Sequence, residues 1–245
     1  MPRRRPPEPP LPPGLIPPDF VRRHDLWRRL YLDPLTCLTP RHDWAPMTDA
    51  EWDALVPHLA ALGCGLAQPG RAGERMEDPR GRLDAIFRAV TLKRSNLQGG
   101  GRAAWSALPK AFGKHGTVAR TYRRWAHRGL WLQLLVAVAQ PGAPAALKAL
   151  TYRICCCVRR GIRIMGLRAL VLARRLKLFS ALPAPSQCLP DPDLSEIYTP
   201  VCRRIAEYMR AHPLWRPPRG LLRLMQSMHR FAGGRTRISR GWEPA

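Results

Sequence analysis

Four arginines, a histidine, a tyrosine and a tryptophan fall within the fourteen residues GTVARTYRRWAHRG, Gly116 to Gly129. A guanidinium presents a planar fork of donors matched to phosphate and to the guanine edge, whereas an ammonium acts as a point charge. On a helical wheel of about 100° per residue, Val118, Ala119, Tyr122, Trp125 and Ala126 share one arc. Arg120, Arg123, Arg124, His127 and Arg128 take the opposite arc. The chemistry on offer is polyanion binding: an apolar side seats the helix, and a cationic side meets phosphate and base edges. The same pattern also describes a solvated basic face on an ordinary bundle helix, and pattern alone leaves both readings open.

Other chemistry-bearing residues form no comparable constellation. After residue 140 the acids are Asp191, Asp193, Glu196, Glu207 and Glu243. The first three read as loop and N-cap residues ahead of a helix, where acids suit the dipole. Cys155, Cys156 and Cys157 are adjacent, so on a helix they point about 100° apart and cannot all hold one metal; they read as core filler. His212 and His229 have no Cys or His partner at zinc spacing, and no nucleophile elbow or phosphate loop is present. No catalytic residue, metal or cofactor is expected.

The wider charge distribution favours a polyanionic partner. Forty-one Lys+Arg, almost all arginine, against seventeen Asp+Glu give a formal charge of +24 and a pI near 11.3. GC-rich codon usage is an alternative source for part of that excess. Placement is more telling: between Asp84 and Asp191 no carboxylate occurs, while nineteen Lys or Arg do. Such a field attracts nucleic acid or anionic membrane. The seven cysteines show no framework spacing, the basic start MPRRRPPEPPLPPG has no apolar core after it, and no long uncharged apolar run exists. A soluble cytoplasmic protein with reduced thiols is expected.

These residues need elements to position them. Residues 1 to about 18 are Pro-rich and read as a disordered arm, followed by a short amphipathic helix over Asp19–Leu32. Thr48-Asp-Ala-Glu51 forms a capping box before a helix through Trp52, Leu55, Leu59 and Leu62, with a kink or early end expected at Pro57. After a Gly/Pro/Arg loop from Gly63 to Gly81, a helix from about Gly81 to Arg94 turns Leu83, Ile86, Phe87 and Val90 inward. NLQGGG, Asn96 to Gly101, is a break. Trp105 to Phe112 reads as a short helix closed by Gly113, before the basic helix, which ends at Gly129; Leu130–Ala139 is an apolar helix. Short helices with a Gly-containing turn before a basic one suggest a helix-turn-helix.

Beyond Pro141 and Pro144, Ala145–Leu182 reads as one helix or two, joined near Gly161 or Gly166. Ile154, Val158, Ile162, Met165, Ala169, Leu172 and Leu176 cluster on one side; Arg153, Arg160, Arg163, Arg168, Arg174 and Arg175 lie on the other. That pattern fits a packed helix with a basic outer face, or an interfacial helix on a membrane. Pro183–Pro192 is a linker, Leu194–His212 and Gly220–Phe231 are further helices, and the basic tail from Gly233 is loose.

Residues 47 to about 139 resemble the N-terminal domain of bacterial insertion-element transposases of the insertion-sequence-five type. MTDAEWDALVPHL matches that family's opening helix through Thr48, Asp49, Glu51, Trp52, Leu55 and Pro57, and RLDAIFRAV is similar to its middle helix. Its strongest signature appears as WSALPKAFGKHGTVARTYRRWAHRGLWLQLL, at Trp105, Leu108, Pro109, Phe112, Gly113, Thr117, Val118, Tyr122, Arg123, Arg124, Trp125, Gly129 and Trp131. Ala119, Thr121 and NLQGGGRAA depart from the pattern. The resemblance implies a helix-turn-helix-like domain that recognises element ends, ahead of a DDE catalytic domain with an RNase H-like fold. Strand transfer there needs three carboxylates holding two Mg²⁺, and the roughly 105 residues after residue 140 supply neither such a triad nor strand segments.

The reading is a mainly α protein: an arm over 1–46, a transposase-like helix-turn-helix domain over 47–140, a basic helical region over 141–232 and a tail over 233–245. The function expected is DNA binding by a transposase-related protein without its own DDE domain. A membrane-surface helical protein and a nonfunctional remnant are the alternatives. Arg120, Arg123, Arg124, His127 and Arg128 are the contact candidates, with Lys114 on a flanking phosphate. The partner is double-stranded DNA at the inverted-repeat ends of an element; a homo-oligomer is left open, and no membrane partner is expected.

Overall fold

Thr48 opens the first helix, α1 (Asp49–Ala61), through the full capping box. The Glu51 N–H donates to Thr48 Oγ1 at 3.2 Å, and the Thr48 N–H donates to Glu51 Oε2 at 2.8 Å. The helix does not end at Pro57 but continues to Ala61. Pro57 and Asp53, whose carbonyl loses its amide partner, are both exposed, so water can satisfy the freed group. The computed structural model describes residues 10–17, 38–66, 76–94 and 101–234. The expected helix over Asp19–Leu32, the central part of the Gly63–Gly81 loop, most of NLQGGG and nearly all of the tail lie outside the described residues.

α2 (Pro79–Thr91) begins two residues before the expected Gly81, because Asp78 caps it and Pro79 is preset for the first turn. The Gly81 N–H donates to Asp78 Oδ1 at 2.7 Å. Arg80 reaches back to α1, donating to Asp49 Oδ1 at 2.6 Å and to the Met47 carbonyl at 2.7 Å. Leu83, Ile86, Phe87 and Val90 are buried as their spacing requires. An isolated antiparallel bridge pairs Lys93 with Arg102.

The short helix expected over Trp105–Phe112 is instead two 3-10 turns, Trp105–Ala107 and Lys110–Phe112. Pro109 explains the interruption: the residue before proline is pushed to extended backbone, and Leu108 has ψ 127°. α3 (His115–His127) and α4 (Leu130–Ala139) follow, separated by Gly129 at φ +85°, a conformation that costs glycine little.

α5 (Ala145–Ala149), α6 (Thr151–Met165) and α7 (Leu167–Arg175) complete this unit. The break falls at Gly166, φ +71°; Gly161 stays inside α6. α6 is the central helix, packed against α2, α3, α4, α5 and α7. Packing around α6 and α7 overturns part of the expected basic outer face. Arg153, Arg159 and Arg174 are buried. Arg159 donates to the Ser180 carbonyl at 3.2 Å and Arg174 to the Ser186 carbonyl at 2.8 Å. Arg160 donates to the carbonyls of Ala89 at 3.3 Å and Ala103 at 3.1 Å, with its guanidinium 4.2 Å from the Trp105 ring centroid. For Arg159, Arg160 and Arg174 the long stems carry the cations to loop and helix-end carbonyls. Arg163, Arg168 and Arg175 remain exposed. Cys155, Cys156 and Cys157 are buried free thiols in this core.

The elements described so far, within residues 38–186, form one compact unit; described residues 10–17 and 187–234 form another. The second unit is a helical hairpin of α8 (Pro192–Ala211) and α9 (Arg219–Gly233). Asp191 caps α8, accepting from the Leu194 N–H at 3.3 Å. Its own N–H donates to the Ala232 carbonyl at 2.8 Å, so the start of α8 lies beside the end of α9 and the pair is antiparallel. Leu15, Leu194, Tyr198, Val201, Ile205, Leu221, Met225 and Met228 form its core. The described residues are mainly helical, and no helix among them is long and apolar enough to cross a membrane.

Candidate nucleic-acid interface

The seat of α3 is aromatic. Val118, Ala119, Tyr122, Trp125 and Ala126 are all buried, as the wheel requires, and Thr121 joins them at 4% exposure. Tyr122 Oη donates to the Cys157 carbonyl on α6 at 2.6 Å. Its ring stacks on Trp131 of α4 at 5.4 Å and lies 5.2 Å from Trp105. Trp131 Nε1 donates to the Tyr122 carbonyl at 3.3 Å, and Trp125 packs 6.1 Å from Trp131. Burial pushes the Tyr122 phenol far above its ordinary range, so it remains a neutral donor. These contacts come from three different elements and fix both the rotation and the depth of the helix.

Fixing the rotation determines what is left outside. Arg120, Arg123, Arg124, His127 and Arg128 are all exposed, as is Lys114 at the N-cap. Arg120, Arg123 and His127 form one row at i, i+3 and i+7, with Arg124 beside it. Lys114 stands at the other end of the helix from His127, about 20 Å along the axis. No carboxylate occurs in α3, so the row is not neutralised by its own helix.

Arg128 belongs to the border rather than to the row. Its Nη1 donates to the Gly63 carbonyl, tying the end of α3 to the turn after α1. It also lies against Cys64, whose thiol is pushed up by burial and pulled partly back by the charges of Arg128 and Arg124. The wheel carried a signal of this: Arg128 falls about 20° from Thr121, and Thr121 is buried. Sequence reasoning also passed over Gly116. It completes the exposed row one turn before Arg120, and a Cβ built there meets nothing within 4 Å. A glycine at that point lets another molecule's backbone come close.

This arrangement can do one kind of chemistry well: present multidentate donors to an anionic surface from a rotationally fixed helix. Residues 47–135 match one family model. Its description is "Putative transposase of IS4/5 family" (DUF4096). This stretch is therefore similar to the N-terminal region of IS4/5-type transposases. No curated protein and no solved structure matches the chain. The IS4/5-like stretch takes in α1, α2, both 3-10 turns, α3 and most of α4, so the basic row and its aromatic seat both lie inside the matched residues.

Proposed function

We propose that the chain is a transposase-related DNA-binding protein in which α3 is the recognition helix. The observation that carries this is the division of α3 into an aromatic seat anchored on α4 and α6 and an exposed row of Arg120, Arg123 and His127. The family match supplies the class of partner. In this reading α2 and the two 3-10 turns before Gly113 take the place of the supporting helix of a helix-turn-helix. α3 lies in the major groove, with bidentate arginine contacts to guanine. Lys114, Arg124 and Arg128 hold phosphates on either side, Arg128 while also bracing Gly63. The sites recognised are the inverted-repeat ends of an element. The chain contributes binding without strand cleavage. After residue 140 its sequence holds five carboxylates, and of these Asp191 is occupied in capping α8.

The test is fluorescence anisotropy of labelled duplex DNA against salt concentration. Arg123→Ala/Arg124→Ala removes two exposed guanidiniums, and each phosphate contact contributes about 0.9 to the slope of log K against log salt. Arg124 is the phosphate contact of the two, so the slope should fall by about 1, and with the Arg123 base contact also lost, binding should be at least tenfold weaker at moderate salt. Wild-type affinity and slope in a variant with unchanged circular dichroism would refute the assignment of α3.

A further inference from the structure

The α8–α9 hairpin carries a second exposed basic row. α9 is an amphipathic helix whose apolar side is used up: Leu221, Met225 and Met228 are buried against α8, and Leu224 and Phe231 pack partly against the same core. On the opposite side Arg219, Arg223, Gln226 and Arg230 are exposed at i, i+4, i+7 and i+11. That is the spacing of Gly116, Arg120, Arg123 and His127 on α3. α9 contains no carboxylate. The exposed acids of the hairpin, Glu196 and Glu207, belong to α8.

We infer that α9 is a second duplex-DNA-binding surface of this chain, separate from α3. Arg and Gln are the side chains whose forks match guanine and adenine in the major groove. A row from Arg219 to Arg230 extends about 16 Å, alongside a duplex that carries one charge per roughly 1.7 Å. A helix of 10–12 Å diameter enters the major groove of B-form DNA, about 12 Å wide. The narrow major groove of A-form RNA excludes it. A lipid surface is the poorer partner, because interfacial helices bind by burying an apolar face. Here that face is inside the hairpin, and what remains outside near the row is two isolated side chains, Leu222, half exposed, and Leu214, exposed in the turn between α8 and α9. The hairpin is fixed independently of α3: the Asp191–Ala232 backbone hydrogen bond closes one end, and Tyr198 Oη meets His229 Nδ1 at 2.9 Å a little further in from that end.

The experiment uses the full chain in three forms: Arg219→Ala/Arg223→Ala/Arg230→Ala on α9, Arg120→Ala/Arg123→Ala on α3, and the two sets combined. Each is titrated with duplex DNA across salt, and with vesicles of phosphatidylcholine containing about one third phosphatidylserine. The α9 variant should bind duplex at least tenfold more weakly, with a slope reduced by 2 to 3. The α3 variant should keep residual duplex binding that disappears in the combined form. Arg219→Lys/Arg223→Lys/Arg230→Lys, which keeps charge and helix propensity, should retain the wild-type slope. Unchanged duplex affinity and slope in the α9 alanine variant would overturn the inference, as would loss of vesicle binding alone. Loss of all duplex binding in the α3 variant would overturn it while leaving the recognition-helix reading intact.

Discussion

Gly161 and Tyr122 form a pair whose coupling can be worked out before it is measured. A Cβ at position 161 would stand 2.7 Å from Tyr122 Oη and 3.0 Å from Met165 Cε, while the Tyr122 ring carbon Cζ would be 3.6 Å away. The ring cannot retreat easily, held between Trp131 and Trp105. Gly161→Ala gains about 1 kcal/mol of helix propensity. It also forces an overpacked contact costing about 1–3 kcal/mol and breaks the Tyr122–Cys157 hydrogen bond, about 1 kcal/mol. The net is destabilisation by about 1–3 kcal/mol. Tyr122→Phe alone loses about 1 kcal/mol with the hydrogen bond.

In the double variant the offending oxygen is absent, the nearest ring carbon is at ordinary contact distance, and the helix gain of about 1 kcal/mol offsets the lost bond. The double variant should therefore lie close to wild type and above both single variants, a coupling of about 2–4 kcal/mol. Urea unfolding followed by tryptophan fluorescence and circular dichroism reads it directly. In a thermal scan each kcal/mol appears as about 2–4 °C. Additive single effects, or a Gly161→Ala variant more stable than wild type, would refute the claim that the Tyr122 hydroxyl leaves no room for a Cβ at position 161.

Thr48→Ala should cost about 1 kcal/mol, because it removes half of the reciprocal cap of α1. Thermal denaturation checks this, and duplex affinity should not change, since the residue is remote from the α3 row in function. Asp84 gives a pH prediction: burial pushes its carboxyl up, against the pull of the Met47 N–H that it accepts at 3.1 Å and of Arg153 and Arg80. A carboxyl whose pKa is raised by folding contributes stability that is present in acid and lost as pH rises through the raised value. Asp84→Asn is permanently neutral and keeps the acceptor oxygen for Met47. It should melt higher than wild type at neutral pH, with the advantage disappearing toward about pH 3. A melting-temperature series in which the advantage grows toward acid would contradict the burial argument.

Local signals were legible in the sequence wherever the chemistry is local. The Thr48/Glu51 box, the stop at Gly129 and the division of α3 depend on residues within a few positions of one another, and each stands as its spacing implied. The interruption between the 3-10 turns over Trp105–Phe112 was written in the sequence as well, through Pro109, although the stretch reads as one short helix closed by Gly113. The arginines of α6 were not legible. A wheel assigns charged residues to solvent, and that rule fails along the part of α6 packed against other helices, where carbonyls at Ser180, Ala89 and Ala103 become the available polar surface. Which helix occupies the centre is a property of the whole chain. The tie between Arg128 and Gly63 was hidden for the same reason, since its partner lies sixty-five positions away.

The two sides of α3 answer to different demands, and that has a consequence for how such a surface can change over time. Tyr122, Trp125 and Val118 are each constrained by neighbours on other helices, so exchanging any of them disturbs the scaffold. Arg120, Arg123 and His127 are exposed, and substitutions there leave the packing untouched. A chain built this way can acquire a new binding preference by altering a few outward positions on an unaltered framework, without passing through an unstable ancestor.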